Sequence, residues 1–169
     1  FRQLGAEIFG DDSLDADAEV LRLMLSVLAR CQIQQVHLDL GHVGVFRALA
    51  GQLKLAPADE KQVFDLLQIK ASEDLLRWCQ AQGIAQAAAE DLVALCTLHG
   101  GVNVLDEAAQ RFAGQAAVMT AITELKGLCA RLEDSLQGIP LHVDLAELRG
   151  YGYQTGVVFA AFVPGHGRE

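Results

Sequence analysis

Three observations predict an α+β fold: segments with strand alternation stand near both ends, helical segments fill the chain between them, and glycine-rich breaks separate the two characters. The size fits that class. A chain of 169 residues, 51% of them hydrophobic, suffices for one domain with a well-buried core, or for one core with a small insertion. No apolar run approaches the roughly 18 residues that a membrane helix needs, and no basic stretch precedes an apolar segment at the start. A soluble protein with no membrane partner is therefore expected.

The elements follow in order along the chain. In "FRQLGAEIFG", residues 1–10, Leu4, Ala6 and Ile8 share one face while Gln3, Gly5, Glu7 and Phe9 share the other, so the segment reads as a strand ending at Gly10. The acid-rich "DDSLDADAE" suits a loop and then the first turn of a helix, where carboxylates complement the helix dipole. Val20, Met24, Val27, Leu28 and Cys31 supply the apolar stripe of that helix. A second strand, "QVHLDL", stops at Gly41, and "HVGVFRALAGQL" reads as a short helix behind it. From Leu55 to about Arg111, Ala-, Leu- and Gln-rich helical pieces are broken at "LAPADE", "QGIAQ" and "HGGVN". Pro57 with Ala58 and Asp59 suits a helix start, and Gly83 a helix stop. This pattern divides the chain into a core of residues 1–54 and 115–169 and a helical insertion of residues 55–114. A longer helix runs from about Gln115 to Asp134 with Ala121, Leu125, Leu128 and Leu132 on one stripe. "GIPLHVDL" and "YQTGVVFAAFV" then return to strand character, separated by "RGYG".

Charge narrows the partners. The net charge of −9 comes from 22 acidic against 13 basic residues, with no run of Lys or Arg that would track phosphates, so nucleic acid is not an expected partner. The four cysteines, Cys31, Cys79, Cys96 and Cys129, are widely spaced in Leu- and Ala-rich segments. They fit buried, reduced thiols of a cytoplasmic protein rather than a disulfide framework or a metal site. The histidines, His37, His42, His99, His142 and His166, form no HExxH or comparable pair, and no metal is expected. There is no GxxxxGK phosphate loop, and "VLDEAAQRF" has acids without the small hydroxyl residues of a phosphoribosyl pyrophosphate loop. No cofactor and no catalytic residue is assigned.

Two clusters remain as candidate ligand contacts. Gln3 and Glu7 flank Gly5, and four residues of extended chain separate their Cα atoms by roughly 13 Å. That spacing suits a ligand of amino-acid size, with Glu7 accepting from a cationic or N–H group and Gln3 donating or accepting; an ordinary half-exposed sheet face accounts for the same residues. Arg149, followed by Gly150, offers a planar fork of donors to a carboxylate or phosphate, and equally suits a surface pair with Glu147 or Asp144. Tyr151 and Tyr153 suit either a pocket wall or simple packing.

Together these two segments resemble a known family. "FRQLGAEIFG" is similar to the segment after the motif 2 loop of histidyl-tRNA synthetases, and "LRGYGYQTGVVFAAF" is similar to their histidine-specific motif, RGLDYYTG followed by Val or Ile, Phe and Glu. The resemblance covers nearly the whole chain and implies a class II aminoacyl-tRNA synthetase-like antiparallel sheet with flanking helices and a small helical insertion. Gly152 stands in place of the motif's Asp, Gln154 in place of its second Tyr, and Ala160 in place of its Glu. With these departures the chain most resembles the ATP phosphoribosyltransferase regulatory subunits, synthetase-like paralogues of histidine biosynthesis that do not charge tRNA.

The resemblance implies a central fragment of a non-catalytic subunit that binds histidine and activates and feedback-regulates a short-form catalytic subunit. Self-association of the full-length protein is expected as well. By motif position, Gln3 and Glu7 match contacts to the amino end and imidazole of histidine, and Arg149 matches the active-site arginine. Tyr153 matches the first tyrosine of the pair, Gln154 stands at the imidazole-contacting second one, and Phe1 matches the aromatic that stacks on adenine, a vestige of a nucleotide site. The arginines of motifs 2 and 3 that adenylation requires lie outside this sequence. The alternatives are a working histidyl-tRNA synthetase with ATP, Mg²⁺ and tRNA as ligands, and a module that keeps the fold purely as an assembly scaffold.

Overall fold

A computed structural model describes residues 4–164. Helix α1 spans Leu14–Arg30 and begins where Ser13 accepts the Ala16 amide on its side chain, with Asp15 and Asp17 in the first turn and Arg30 in the last. Strand β1, His37–His42, leads directly into α2, Val43–Leu53. His42 caps this helix by accepting the Gly44 amide at 3.0 Å on Nδ1. Next come α3, Pro57–Gln68, with proline in its first turn, α4, Ser72–Ala81, and α5, Gln86–Ala94. The two-residue strand β2, His99–Gly100, precedes α6, Val104–Arg111, and α7, Ala116–Leu132, which continues as a 3-10 turn, Glu133–Leu136. Strands β3, Leu141–Asp144, and β4, Val157–Phe162, close the order.

The strands form one sheet in the order β2-β3-β1-β4. Pairs β1/β4 and β2/β3 are antiparallel, and the β1/β3 pair is parallel. The α+β class holds, with a sheet that is mixed rather than wholly antiparallel. The parallel pair has a topological cause: β1 and β3 are joined by a long crossover through six helices, and a crossover is the connection that returns a strand in the same direction. In the registers, Leu38, Leu40 and Val143 turn to one face and are fully buried. There they meet Leu21 of α1, Phe46 of α2 and Leu125 and Leu128 of α7, all fully buried, in a core that continues through Leu67 of α3, Leu75 of α4, Leu92 of α5 and Leu105 of α6. The stripe Ala121, Leu125, Leu128 and Leu132 lies in this core, as the helical period requires.

Three local expectations are corrected. Residues 4–9 are irregular and exposed, not a strand, with Leu4 87% and Phe9 85% accessible. Alternation alone cannot hold a strand; it needs a neighbouring edge to take its amides and carbonyls, and these described residues make no ladder with the sheet. In α1 the buried residues are Ala16, Ala18, Leu21 and Leu25, not the stripe through Val20, Met24 and Cys31. Both sets obey the helical period, and the phase is set by α7: Arg131 pairs with Asp15 at 2.6 Å and Arg22 donates to the Arg131 carbonyl at 2.6 Å, turning the small Ala16 and Ala18 inward. Cys31 is consequently exposed, whereas Cys79, Cys96 and Cys129 are buried. Phe1 and Gln3 lie outside the described residues.

Candidate functional site: the open face of the sheet

The helices occupy one face of the sheet, so period-two alternation assigns the other face by register. Asp39 of β1 stands opposite His142 of β3 and Ala160 of β4, His37 stands opposite Phe162, and His99 of β2 opposite Asp144. Asp39 Oδ1 is 3.6 Å from His142 Nδ1, and the His99 and His142 rings lie with centroids 5.8 Å apart. Half-buried Asp39 thus sits at the middle of a polar surface.

The chain after β3 folds back beside this face. Gly41 makes that possible, since a Cβ there would lie 2.7 Å from Glu147 Cβ and 2.9 Å from the Asp144 carbonyl oxygen. Glu147 then accepts the Arg149 amide at 2.9 Å on one carboxylate oxygen and pairs with its guanidinium at 3.3 Å on the other. The Arg149 guanidinium carbon lies 5.6 Å from the centre of the Phe162 ring, within cation–π range. Glu147 is thus the surface partner of Arg149, of the two that the sequence offers. Asp39 feels the whole cluster: burial pushes its carboxyl above the ordinary value, His142 and Arg149 pull it down, and Glu147 and Asp144 push it up.

Gly150, at φ +73°, turns the loop so that the Tyr153 and Gln154 amides both donate to its carbonyl, at 2.9 and 2.8 Å. Tyr153 is 82% accessible and Gln154 is exposed. Tyr151 faces the opposite way. Its ring packs on Phe46 at 5.2 Å and Phe64 at 5.8 Å, with the Arg47 guanidinium 5.1 Å above it, and its hydroxyl donates to Glu60. Burial first, and then the Glu60 carboxylate, push the phenol up to about 12, opposed by Arg47. Tyr151 therefore packs between α2 and α3.

Glu7 lies in the exposed segment before α1 and, among the described residues, makes no hydrogen bond or ion pair. No group of three or more His, Cys, Asp or Glu among the described residues is arranged to hold a metal ion, and no described helix is long and apolar enough to cross a membrane. Sequence reasoning missed Asp39, His142 and Phe162 on this face. A signal existed. "HLDL" and "LHVD" each place polar residues at alternate positions of an otherwise apolar strand, which marks a sheet with one face left uncovered.

A second polar cluster lies on the covered side. His42, 4% accessible, accepts the Gly44 amide on Nδ1, so the neutral ring carries its proton on Nε2 and donates to Glu124 at 2.7 Å. Burial pushes the nearby Asp17 carboxyl up, while His42 pulls it down and Glu124 pushes it up. The His42–Glu124 bond ties β1 to α7 on the side away from Arg149.

The family model described as histidyl-tRNA synthetase matches residues 1–169. The chain is 44% identical over 166 residues to a protein of Nitrosococcus oceani named ATP phosphoribosyltransferase regulatory subunit, a match covering 98% of this chain and 42% of that protein. It thus spans less than half the length of that curated relative. Among solved structures, an ATP phosphoribosyltransferase regulatory subunit/histidyl-tRNA synthetase from Bacillus halodurans superposes with a TM-score of 0.81 at 25% identity, over 94% of this chain and 42% of that one. An ATP phosphoribosyl transferase complex from Thermotoga maritima contains a chain matched with a TM-score of 0.71 at 14% identity, over 94% of this chain and 55% of that one, a likeness of fold.

Proposed function

The chain belongs to the histidyl-tRNA synthetase family, and from that premise we propose that it is part of a regulatory subunit of ATP phosphoribosyltransferase, not of an enzyme that charges tRNA. The observation that carries this reading is the 44% identity, along nearly the whole chain, to a relative named as that subunit. The site agrees with it on chemical grounds. Asp144, Glu147 and Arg149 all act on Asp39, and an acidic frame with one guanidinium suits a zwitterionic amino acid better than a triphosphate. Lys70, the other cation near this strand, is already committed to Asp144 at 2.6 Å.

In this reading the ligand is histidine. Its carboxylate is met by the Arg149 fork, and its imidazole and amino groups by Glu7, Tyr153 and Gln154 of the described residues, with Gln3 beyond them and Phe1 left from a nucleotide site. Core residues 1–54 and 115–169 carry these contacts, and residues 55–114 form the helical insertion. A charge-assisted hydrogen bond contributes about 1.5–3 kcal/mol, so one carboxylate on the imidazole sets roughly 10- to 150-fold of selectivity. Feedback requires histidine to bind one state of the complex with the catalytic subunit better than the other, because equal affinities shift nothing.

Calorimetric titration of histidine into the full-length protein tests the reading. Binding is expected, weakened at least about tenfold by Arg149→Ala and by Glu7→Ala, with no histidine-dependent exchange between ATP and pyrophosphate. Such exchange would instead make the protein a synthetase, and a complete lack of histidine binding would leave only the scaffold.

A further inference from the structure

Helix α3 holds the loop that carries Arg149 at both ends. At the N-terminal end of the helix, Glu60 accepts the Tyr151 hydroxyl. At the C-terminal end, Gln68 donates to the Ala146 carbonyl at 3.1 Å, and Lys70, just past the helix, donates to both Asp144 carboxylate oxygens at 2.6 and 2.7 Å. Eight helical residues between Glu60 and Gln68 span about 12 Å, so one rigid rod grips residues 144–151 along their length. Arg47 of α2 adds a second hold, donating from one nitrogen to the carbonyls of Tyr151 and Gln154, each at 3.0 Å. Among the described residues, exposed Arg149 bonds only to Glu147 and stacks near Phe162, so its backbone position follows the residues gripped on either side of it, Asp144, Ala146 and Tyr151.

We infer that Tyr151 is the positioning residue for Arg149 and that helix α3 is a splint through which the loop is set from outside the open face. Arg47 and the buried Leu145, Ala146 and Leu148 hold the same loop, and the Tyr151–Glu60 bond is the hold that a single hydroxyl removes. The grip rests on contacts alone; its effect on histidine rests on the function proposed above.

The test uses the full-length protein. Tyr151→Phe keeps the ring against Phe46 and Phe64 and removes only the hydroxyl, Glu60→Ala removes the acceptor, and Glu60→Gln restores a neutral one. Amide hydrogen exchange across residues 149–156 is expected to quicken about tenfold in Tyr151→Phe and Glu60→Ala, with the melting temperature nearly unchanged, and to return toward the parent rate in Glu60→Gln. The phenol titration lost in Tyr151→Phe identifies Tyr151, and in Glu60→Ala that step should move down from about 12. Unchanged exchange in both deleting variants, or equal loss in Glu60→Gln, overturns the splint. Histidine affinity is read on the same proteins: weakening in step with faster exchange supports the positioning role, whereas faster exchange at constant affinity overturns it. If the parent protein binds no histidine, the function reading fails, and the exchange result still decides the splint.

Discussion

Asp39 lies between Leu38 and Leu40, whose side chains are fully buried on the helix side, while its own carboxyl is turned to the open face and only half covered. Burial is the largest influence on it and raises its pKa. For an acid with a raised native value, the folded chain holds more protons than the unfolded chain just above the ordinary carboxylate pKa, so stability falls as pH rises through that interval. Asp39→Asn removes the titration. Thermal melts across the carboxylate range should show the parent losing stability toward neutral pH relative to the variant, with the two converging in acid. Parallel curves would mean that the neighbouring Arg149 and His142 fully offset the burial.

At the scale of elements, α7 organises the fold because it packs on α1, α2, α6 and β1. Leu125, fully buried at its middle, should cost about 2–5 kcal/mol on Leu125→Ala, since neighbours on several helices cannot all collapse into the gap. Exposed Thr123, whose hydroxyl only returns to the Met119 carbonyl at 2.8 Å, should change stability by no more than about 0.5 kcal/mol on Thr123→Ala. Urea denaturation read by circular dichroism measures both. The stripe through Leu125 was legible in the sequence because α7 is long and its period is unbroken, as were the Pro57 start and the Gly83 stop, where φ is +69°. The α1 stripe was not legible, because a period without a partner fixes no phase. Nor was the two-residue strand β2, too short to alternate. Of the site, the glycine next to Arg149 marked the loop, but the closure of Glu147 onto Gly41 depends on strand pairing across the chain, and local spacing does not encode it.

At the scale of the molecule, helices cover one side of the sheet and leave charged residues on the other. Under the proposed function, regulation by histidine is a statement about two bound species and one coupling. If histidine lowers the affinity of the full-length protein for the ATP phosphoribosyltransferase catalytic subunit by some factor, the catalytic subunit must lower the affinity for histidine by the same factor. Typical couplings between sites span about 5- to 150-fold. Both arms are measurable, by titrating the catalytic subunit at zero and saturating histidine and by titrating histidine with and without the catalytic subunit. Equal factors above fivefold, abolished together by Arg149→Ala, are the expected result. Tight histidine binding with identical affinity in both arms would show that the site is occupied in every state alike, and feedback would then have to originate at another surface of the complex.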